Sequence, residues 1–262
     1  GPSGQLDTAV GRAGSLRSVT VSGGARREPP AHARLRRLAV FSGGISVAAV
    51  EATVPESEAG QTLDALGSLV INSLLQRSDA ADGSRLLMLE TVREFAQEQL
   101  GKAGDETFAR QAHARYFSRF MEELDPLLWS SASSALLNSV ALEHDNLRAA
   151  MEWALAHDPA LALGMAQRVG AFWQKRTLWN EGRAWLTRVL AAAPGTPSTD
   201  RAIALWRAGA LAADQGDFAS GVALMNEALE MAGALGDAAI TARVLRGLGI
   251  AASNQSDFPR AN

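Results

Sequence analysis

The stretch "LLMLETVREFAQEQL", residues 86–100, changes its hydrophobic period half-way along. Its first four residues are all apolar, whereas from Val92 onward the apolar positions recur with helical spacing. Thr91 and Glu94 stand at the change with the spacing of a capping box, in which each side chain bonds the backbone amide of the other residue. The stretch therefore predicts a short strand that leads directly into a helix capped by Thr91.

The residues before this stretch predict three helices and a β-hairpin. Helical spacing of apolar residues begins near Ala31, after Ser46 and near Gln61, with Ser46 as the cap of the second helix. The glycines of residues 42–44 favour the end of the first helix, because glycine adopts the left-handed conformation easily. Two short apolar segments flank a polar turn at residues 78–84, which indicates a hairpin. Three helices followed by a hairpin is the order of a winged helix.

Composition favours a mostly α-helical protein. The 262 residues are 47% hydrophobic and 6% aromatic, and alanine is abundant. Cysteine is absent, which excludes disulfides and fits a cytoplasmic protein. No apolar run is long enough for a membrane span, and the start does not have the pattern of a signal peptide.

Charge is distributed unevenly along the chain. Residues 1–37 carry seven arginines and two acidic residues, although the whole chain has a net charge of −3. A basic arm of this kind can contact the phosphates of DNA. No aromatic residue is interleaved to stack on bases, so a solvated linker is the favoured interpretation.

A repeat is visible in the second half of the chain. "AGALAADQGDFASG" and "LGIAASNQSDFPRA" align with a spacing of 40 residues, and a weaker copy lies 39 residues before the first. Small Gly209 and Gly221 with large Met225 follow the pattern of a tetratricopeptide repeat, in which small residues let two antiparallel helices approach. The last copy stops inside its second helix, so we expect the chain to be a piece of a longer protein.

These observations give a fold class and domain limits. We expect a mostly α protein in which a winged helix with a small β-hairpin precedes an α-α superhelix of tetratricopeptide-like repeats. The expected limits are a linker at 1–30, the winged helix at 31–100, a helical connector at 101–145 and the repeats at 146–262.

The register of the repeats predicts which side chains line the inner groove of the array. The first helix of each pair supplies that face. A mainly polar face with one tryptophan suggests a binding surface for a protein partner or a small effector, although a merely solvated concave face is the alternative. The candidate groove residues are Gln167, Gln174, Lys175, Trp206, Asp214, Arg243, Arg246 and Asn254.

Four motifs in the same order resemble a known family. "RRLAVFSGGISVAAVEA", "LVINSLL", the helix-entry stretch around "LETVREFAQEQL", and "EHDNLRAAMEWAL" are similar to the region that follows the ATPase module in bacterial transcriptional regulators of the signal-transduction ATPase class, such as AfsR/SARP-like and LuxR-like activators. The resemblance implies an ATPase module elsewhere in the parent protein. It also implies that the winged helix is mainly regulatory and that a separate helix-turn-helix reads DNA.

Catalytic chemistry is not indicated. The phosphate-binding motif G-x-x-x-x-G-K-[ST] is absent from the sequence, and the four histidines do not have the spacing of metal ligands. "EHDN", residues 143–146, is explained as a helix start with Asp145 as its cap. We therefore expect neither a cofactor nor a metal, and no enzymatic activity.

The expected function is that of a non-catalytic sensor within a transcriptional regulator. The array would bind an effector or partner protein, and the winged helix would relay that state to the ATPase module. A protein-protein scaffold is one alternative, and a DNA-binding winged helix that uses the basic arm is another. The predicted third helix has Asp64 and neither Lys nor Arg, which disfavours direct DNA contact.

Overall fold

The structure, a computed structural model, describes residues 30–55, 60–80, 83–129 and 133–257. The chain forms two compact units. The amino-terminal unit is formed by two segments, the chain up to Tyr116 and Leu142–Ala149. The repeat unit is formed by Phe117–Ala141 and the chain from Ala150 onward. Residues 1–29 of the predicted linker lie outside the described residues. The predicted domain limits stay predictions.

The amino-terminal unit contains the predicted three helices and hairpin. Strands β1 and β2 are antiparallel, with Leu75 opposite Met88, and Ile45 forms a single bridge to Leu86. The fold is therefore mostly helical with one small two-stranded sheet, as the sequence predicted. The elements are α1 (Pro30–Leu38), α2 (Val47–Thr53), α3 (Thr62–Ile71), β1 (Leu75–Ala80), β2 (Gly83–Met88) and α4 (Glu90–Ala103).

One apolar core holds these elements together. Helix α1 packs against α3 and α4, and the hairpin closes one end of the core through β1. Burial of these side chains is the main favourable contribution to the stability of the unit. The largest buried apolar side chains are Leu38, Phe41, Ile45, Leu69, Leu75 and Leu100.

One of two helix-boundary signals in this unit was predicted correctly. The Ser46 side chain accepts a hydrogen bond from the Ala49 amide at 3.2 Å, which caps α2. Gly43 has the predicted left-handed conformation, with a φ of +81°, but α1 ends at Leu38, so this glycine shapes the loop after α1 and does not end the helix. The Ser46 cap acts locally, so the sequence alone was enough to place it.

The predicted capping box at Thr91 is wrong. Helix α4 begins at Glu90, its N-cap is the extended residue Leu89, and no side chain caps it. Met88 still pairs with Leu75, so a single residue separates strand from helix. Thr91 therefore lies inside the first turn, where its hydroxyl is not placed to cap the helix.

Four helical segments follow α4. They are α5 (Glu106–Leu124), a 3₁₀-helix (Asp125–Trp129), α6 (Ser133–Leu142) and α7 (His144–His157). The chain changes unit three times, within α5 after Tyr116, at the end of α6 after Ala141, and within α7 after Ala149.

The "EHDN" motif makes a polar network inside the amino-terminal unit. Helix α7 begins at His144, so Asp145 lies within it and accepts from Arg148 instead of capping the helix as predicted. Glu143 accepts from Arg85 at 2.6 Å and from the Asn146 amide nitrogen at 2.7 Å. Asn146 also bonds the backbone of the loop after α1, at the Ser42 amide and the Gly44 carbonyl. The motif is thus structural, as expected, although through long-range contacts that the sequence did not indicate.

The repeat unit is an array of helix pairs. The first pair is α8 (Pro159–Lys175) with α9 (Trp179–Ala192), the second is α10 (Thr199–Asp214) with α11 (Phe218–Leu235), and α12 (Ala238–Asp257) opens the next repeat. Within each pair the two helices pack together, and α8, α10 and α12 pack in succession. This is the predicted architecture of helical repeats.

The repeat glycines lie where two helix backbones meet. A Cβ on Gly209 would stand 2.7 Å from the Gly221 carbonyl oxygen, and a Cβ on Gly221 would stand 2.8 Å from the Gly209 oxygen. Met225 and Ala228 are fully buried beside this contact. The alternation of small and large residues read from the sequence is therefore the packing pattern of α10 against α11.

The last copy of the repeat departs from the earlier one at its turn. Gly216, with a φ of +84°, ends the first helix of the second pair, and Asp217 caps the following helix. Forty residues later Ser256 replaces that glycine, and α12 continues as a helix through this position to Asp257. The left-handed conformation is energetically less favourable for serine than for glycine, which favours continuation of the helix at this position. The predicted match at Phe258 lies outside the described residues.

Candidate binding cleft in the repeat array

Helices α8, α10 and α12 supply the side chains predicted to line the groove. Two side-chain hydrogen bonds join α8 to α10, from Gln167 to Asp200 at 3.0 Å and from Gln174 to Asp214 at 2.8 Å. The two bonds join different turns of α8 to the first and last turns of α10, so together they fix the register of the two helices.

A cleft of about 190 Å³ opens beside α10 and α12. Its apolar wall includes Ile250, which is half exposed, and the small residues Ala210 and Ala213. Five of the eight predicted groove residues line it, namely Gln174, Trp206, Asp214, Arg246 and Asn254.

The other three predicted groove residues lie outside this cleft. Gln167 is buried and serves the contact between α8 and α10. Lys175 is exposed at the last residue of α8. Arg243 is exposed on α12 and acts electrostatically on the Asp125 carboxylate. The sequence register thus brought together the residues at one end of the groove but not those three.

Trp206 contributes a buried indole to the lining of the cleft. Its side chain is only 6% exposed, and among the described residues its indole nitrogen has no hydrogen-bond partner. A Cβ on Gly247 would stand 2.9 Å from that nitrogen, so the absence of a side chain at Gly247 keeps the space beside it open. A buried indole N–H usually finds an acceptor. The arrangement therefore offers a donor to a bound group.

The size of the cleft restricts what it can hold. Pockets for drug-sized ligands have volumes of roughly 300–1,000 Å³, whereas a cavity of about 150 Å³ takes one benzene ring. A cleft of about 190 Å³ therefore fits a single side chain or a small ring. Its polar groups include the Trp206 N–H, the exposed Arg246 guanidinium and the Asp214 carboxylate, which already accepts from Gln174.

A buried ion pair lies next to this cleft and was not predicted. Arg207 is 3% exposed and donates to an Asp125 carboxylate oxygen at 2.7 Å. Its aliphatic stem passes over Gly170, where a Cβ would stand 2.2 Å from Arg207 Cδ. The guanidinium also lies 5.2 Å from the centre of the Trp206 ring. The sequence feature related to this ion pair is the glycine at position 170, but a glycine alone does not show which side chain packs against it.

Burial and charge act against each other at this pair. Burial raises the pKa of the Asp125 carboxyl above its ordinary value, and the charges of Arg207, Arg243 and Arg168 oppose that rise. Burial lowers the pKa of the Arg207 guanidinium, and the Asp125 carboxylate opposes that change. Burial therefore disfavours the charged form of each group by itself, and the attraction between the two charges opposes that effect.

The winged helix presents few cations on its third helix. The exposed residues of α3 include Leu63, Asp64 and Ile71, and the helix contains neither Lys nor Arg. Arg85 on β2 is committed to Glu143 and to the Gly44 carbonyl. Helix α3 itself therefore lacks the residues that neutralise phosphates.

Part of the basic arm contributes to the fold. Arg34 in α1 is buried and donates to the Thr62 hydroxyl. Arg37 in the same helix donates to Asp105 at 3.3 Å. The four arginines before residue 30 lie outside the described residues.

The described parts of the chain contain neither a metal-binding cluster nor a membrane-spanning helix. Within those ranges no cluster of His, Asp or Glu is arranged to hold a metal ion. None of the described helices is both long and apolar enough to cross a bilayer.

Comparison with known proteins identifies one domain. Over 158 residues, 59% of the chain, the sequence is 34% identical to proteins of Mycobacterium bovis and Mycobacterium tuberculosis that are provisionally named HTH-type transcriptional regulators. The chain spans 18% of the length of those relatives. One solved structure also aligns with the chain, that of a Signal Transduction ATPase with Numerous Domains protein with a tetratricopeptide repeat sensor from Pyrococcus horikoshii. The alignment covers 90% of this chain and 49% of the other, at 12% sequence identity. Its TM-score of 0.24 is too low to show a shared fold. Residues 28–101 match the winged helix-turn-helix domain family, so the amino-terminal unit contains a winged helix-turn-helix domain.

Proposed function

We propose that this chain is a non-catalytic regulatory segment of a cytoplasmic bacterial transcriptional regulator. Its repeat unit binds a partner in the inner groove, and its winged helix relays the bound state to an ATPase module of the parent protein. The winged helix-turn-helix match and the names of the mycobacterial relatives support the regulatory role. The observation that carries the binding role is the buried, unsatisfied Trp206 N–H in the cleft.

A protein segment is the occupant that the cleft favours over a larger effector. The cleft holds about one side chain, while Arg246 and Asn254 offer polar contacts at its edge. A peptide anchored by one apolar side chain, with a backbone carbonyl accepting from Trp206, would satisfy both features.

Chain continuity supports the relay. The backbone passes between the two units three times, within α5, at the end of α6 and within α7. A change in the tilt or stability of α5 or α7 would therefore act on residues of both units, which is what a relay from the array requires.

A matched pair of alanine substitutions tests the binding role. The wild-type chain would first be used to select ligands from a random peptide-display library, and the affinities of the enriched peptides would then be measured. Gly247→Ala places a methyl group against the indole nitrogen and should weaken those peptides by about tenfold. Gly249→Ala, on the same helix with no described atom near its Cβ, should leave them unchanged. Equal affinities for the two variants would refute the role of the cleft.

The regulatory role needs a separate readout. In cells carrying the full-length parent protein, the same pair of substitutions should change transcription of its target genes for Gly247→Ala and not for Gly249→Ala. Normal transcription with lost peptide binding would favour the scaffold alternative. A gel shift at low salt tests the DNA-binding alternative, since the winged helix proposed here should not retard a duplex.

A further inference from the structure

The 3₁₀-helix Asp125–Trp129 lies against helix α8 of the array. Two of its side chains are held in place, one by an ion pair with the array and one by burial. Asp125 accepts from Arg207 of α10, and Leu128 is fully buried three residues later. The segment therefore has the form of a bound peptide with one acidic and one aliphatic anchor.

The surroundings of Asp125 are rich in cations. Arg168 on α8, Arg207 on α10 and Arg243 on α12 all attract its carboxylate. Arg207 is its direct hydrogen-bond donor, and Arg168 also lies 4.0 Å from the carboxylates of Glu122 and Asp200. Three successive first helices of the array thus each carry one arginine whose charge favours this carboxylate, and Arg207 contacts it directly.

Arg207 depends on an anion in this place. A guanidinium that is 3% exposed cannot recover its lost hydration, so removing the opposing carboxylate takes away the anion that offsets the cost of burying its charge. Position 170 is a glycine whose missing Cβ gives the Arg207 stem its room. The packing of α8 and α10 is therefore built around an arginine that needs a carboxylate.

We propose that Arg207 and its neighbours form a carboxylate-binding site on the array, that Asp125 is its internal occupant, and that an acidic peptide segment of a partner protein competes for it. The competing segment has an Asp or Glu followed three residues later by an aliphatic residue, which is the spacing of Asp125 and Leu128. Displacement of the turn would free the carboxy-terminal end of α5.

The inference rests on the proposed function in one respect, that the array binds a partner. The site differs from the Trp206 cleft, and the Gly247→Ala variant separates the two. If the cleft proposal fails and the carboxylate site is correct, a carboxylate peptide still competes with Asp125 in the wild type and in Gly247→Ala.

The test uses a fluorescently labelled peptide copying residues 122–129 and the full chain. Asp125→Asn removes the internal carboxylate, so the peptide should bind this variant about tenfold more tightly than wild type, because a self-occupied site lowers apparent affinity. Glu123→Gln is the matched control, since it removes the same charge from an exposed position two residues away. A peptide with Asn in place of its Asp should bind neither variant. Equal binding to wild type and Asp125→Asn, or equally tight binding to Glu123→Gln, would overturn the proposal.

A second measurement covers the case in which Asp125→Asn does not fold. An isotope-labelled peptide in excess over the wild-type chain should speed amide hydrogen exchange in residues 125–129, because the internal turn is displaced. The label distinguishes peptide fragments from protein fragments by mass. Unchanged exchange at saturating peptide would show that the pair of Asp125 and Arg207 is only structural.

Discussion

Replacing Gly209 by alanine should destabilise the repeat unit although alanine is the better helix former. The new Cβ would lie 2.7 Å from the Gly221 carbonyl oxygen, 2.8 Å from Met225 Cγ and 3.2 Å from the Met225 amide nitrogen. Two of these three atoms belong to the α11 backbone, so a rotamer change cannot relieve the clash and the helices must separate.

The magnitude follows from two opposing contributions. Overpacking a well-packed core costs about 1–3 kcal/mol, and the backbone partners place this site near the upper end. Alanine returns about 1 kcal/mol through its helix propensity. The net loss in the free energy of unfolding is therefore about 2 kcal/mol, which lowers the melting temperature by about 4–8 °C for a domain of this size.

Tryptophan fluorescence provides a selective assay. All six tryptophans lie between Trp129 and Trp206, and all belong to the repeat unit. Urea unfolding followed by their emission thus reports on that unit and not on the winged helix.

Gly249→Ala is the control at the corresponding position of the next copy. No described atom lies within 4 Å of its added Cβ, so only the helix propensity remains and stability should rise by up to about 1 kcal/mol. A Gly209→Ala protein as stable as Gly249→Ala would refute the close contact between α10 and α11.

Three further predictions concern the amino-terminal unit. Arg85→Ala leaves the Glu143 carboxylate buried without its positively charged partner and should cost about 3–5 kcal/mol in chemical unfolding. Arg93→Ala, which breaks an exposed pair, should have a much smaller effect, and similar losses for the two variants would contradict the network. Burial lowers the pKa of His113 to about 4, so the unfolded chain takes up a proton first as the pH falls below about 6.5. Stability should then decline by about 3 kcal/mol between pH 6.5 and 4, and His113→Gln should flatten that decline in circular dichroism melts; an unchanged pH profile would exclude His113 as the cause. Thr91→Ala should change stability by less than about 0.5 kcal/mol, and a loss near 1 kcal/mol would restore the capping box.

Sequence patterns predicted those features of the fold that depend only on residues close in the chain. Ser46 caps its helix and Gly43 takes the left-handed conformation because each needs only the backbone beside it. The Thr91 box failed although its residues fit the pattern. Strand pairing holds Met88 opposite Leu75, and burial of Val92 and Ala96 sets the phase of α4, so tertiary structure determined where the helix starts.

Long-range polar contacts were beyond the reach of sequence patterns. Asp125 and Arg207 are 82 residues apart in the sequence, and neither lies in a motif that would predict the other as its partner. The five cleft residues were found because the repeat period carries one helix face from copy to copy. Gly247 was missed as a cleft residue, because its role depends on the indole that approaches it from the preceding repeat.

The polar network at the start of α7 makes the winged-helix unit discontinuous along the chain. Glu143 and Asn146 bond residues that precede them by 58 to 104 positions. A truncated protein that stops at Leu100 or Tyr116 would therefore lack two of the groups that satisfy Arg85, the Ser42 amide and the Gly44 carbonyl. An excised version that keeps its native stability has to retain Leu142–Ala149, joined by the natural segment or by an engineered linker that replaces it.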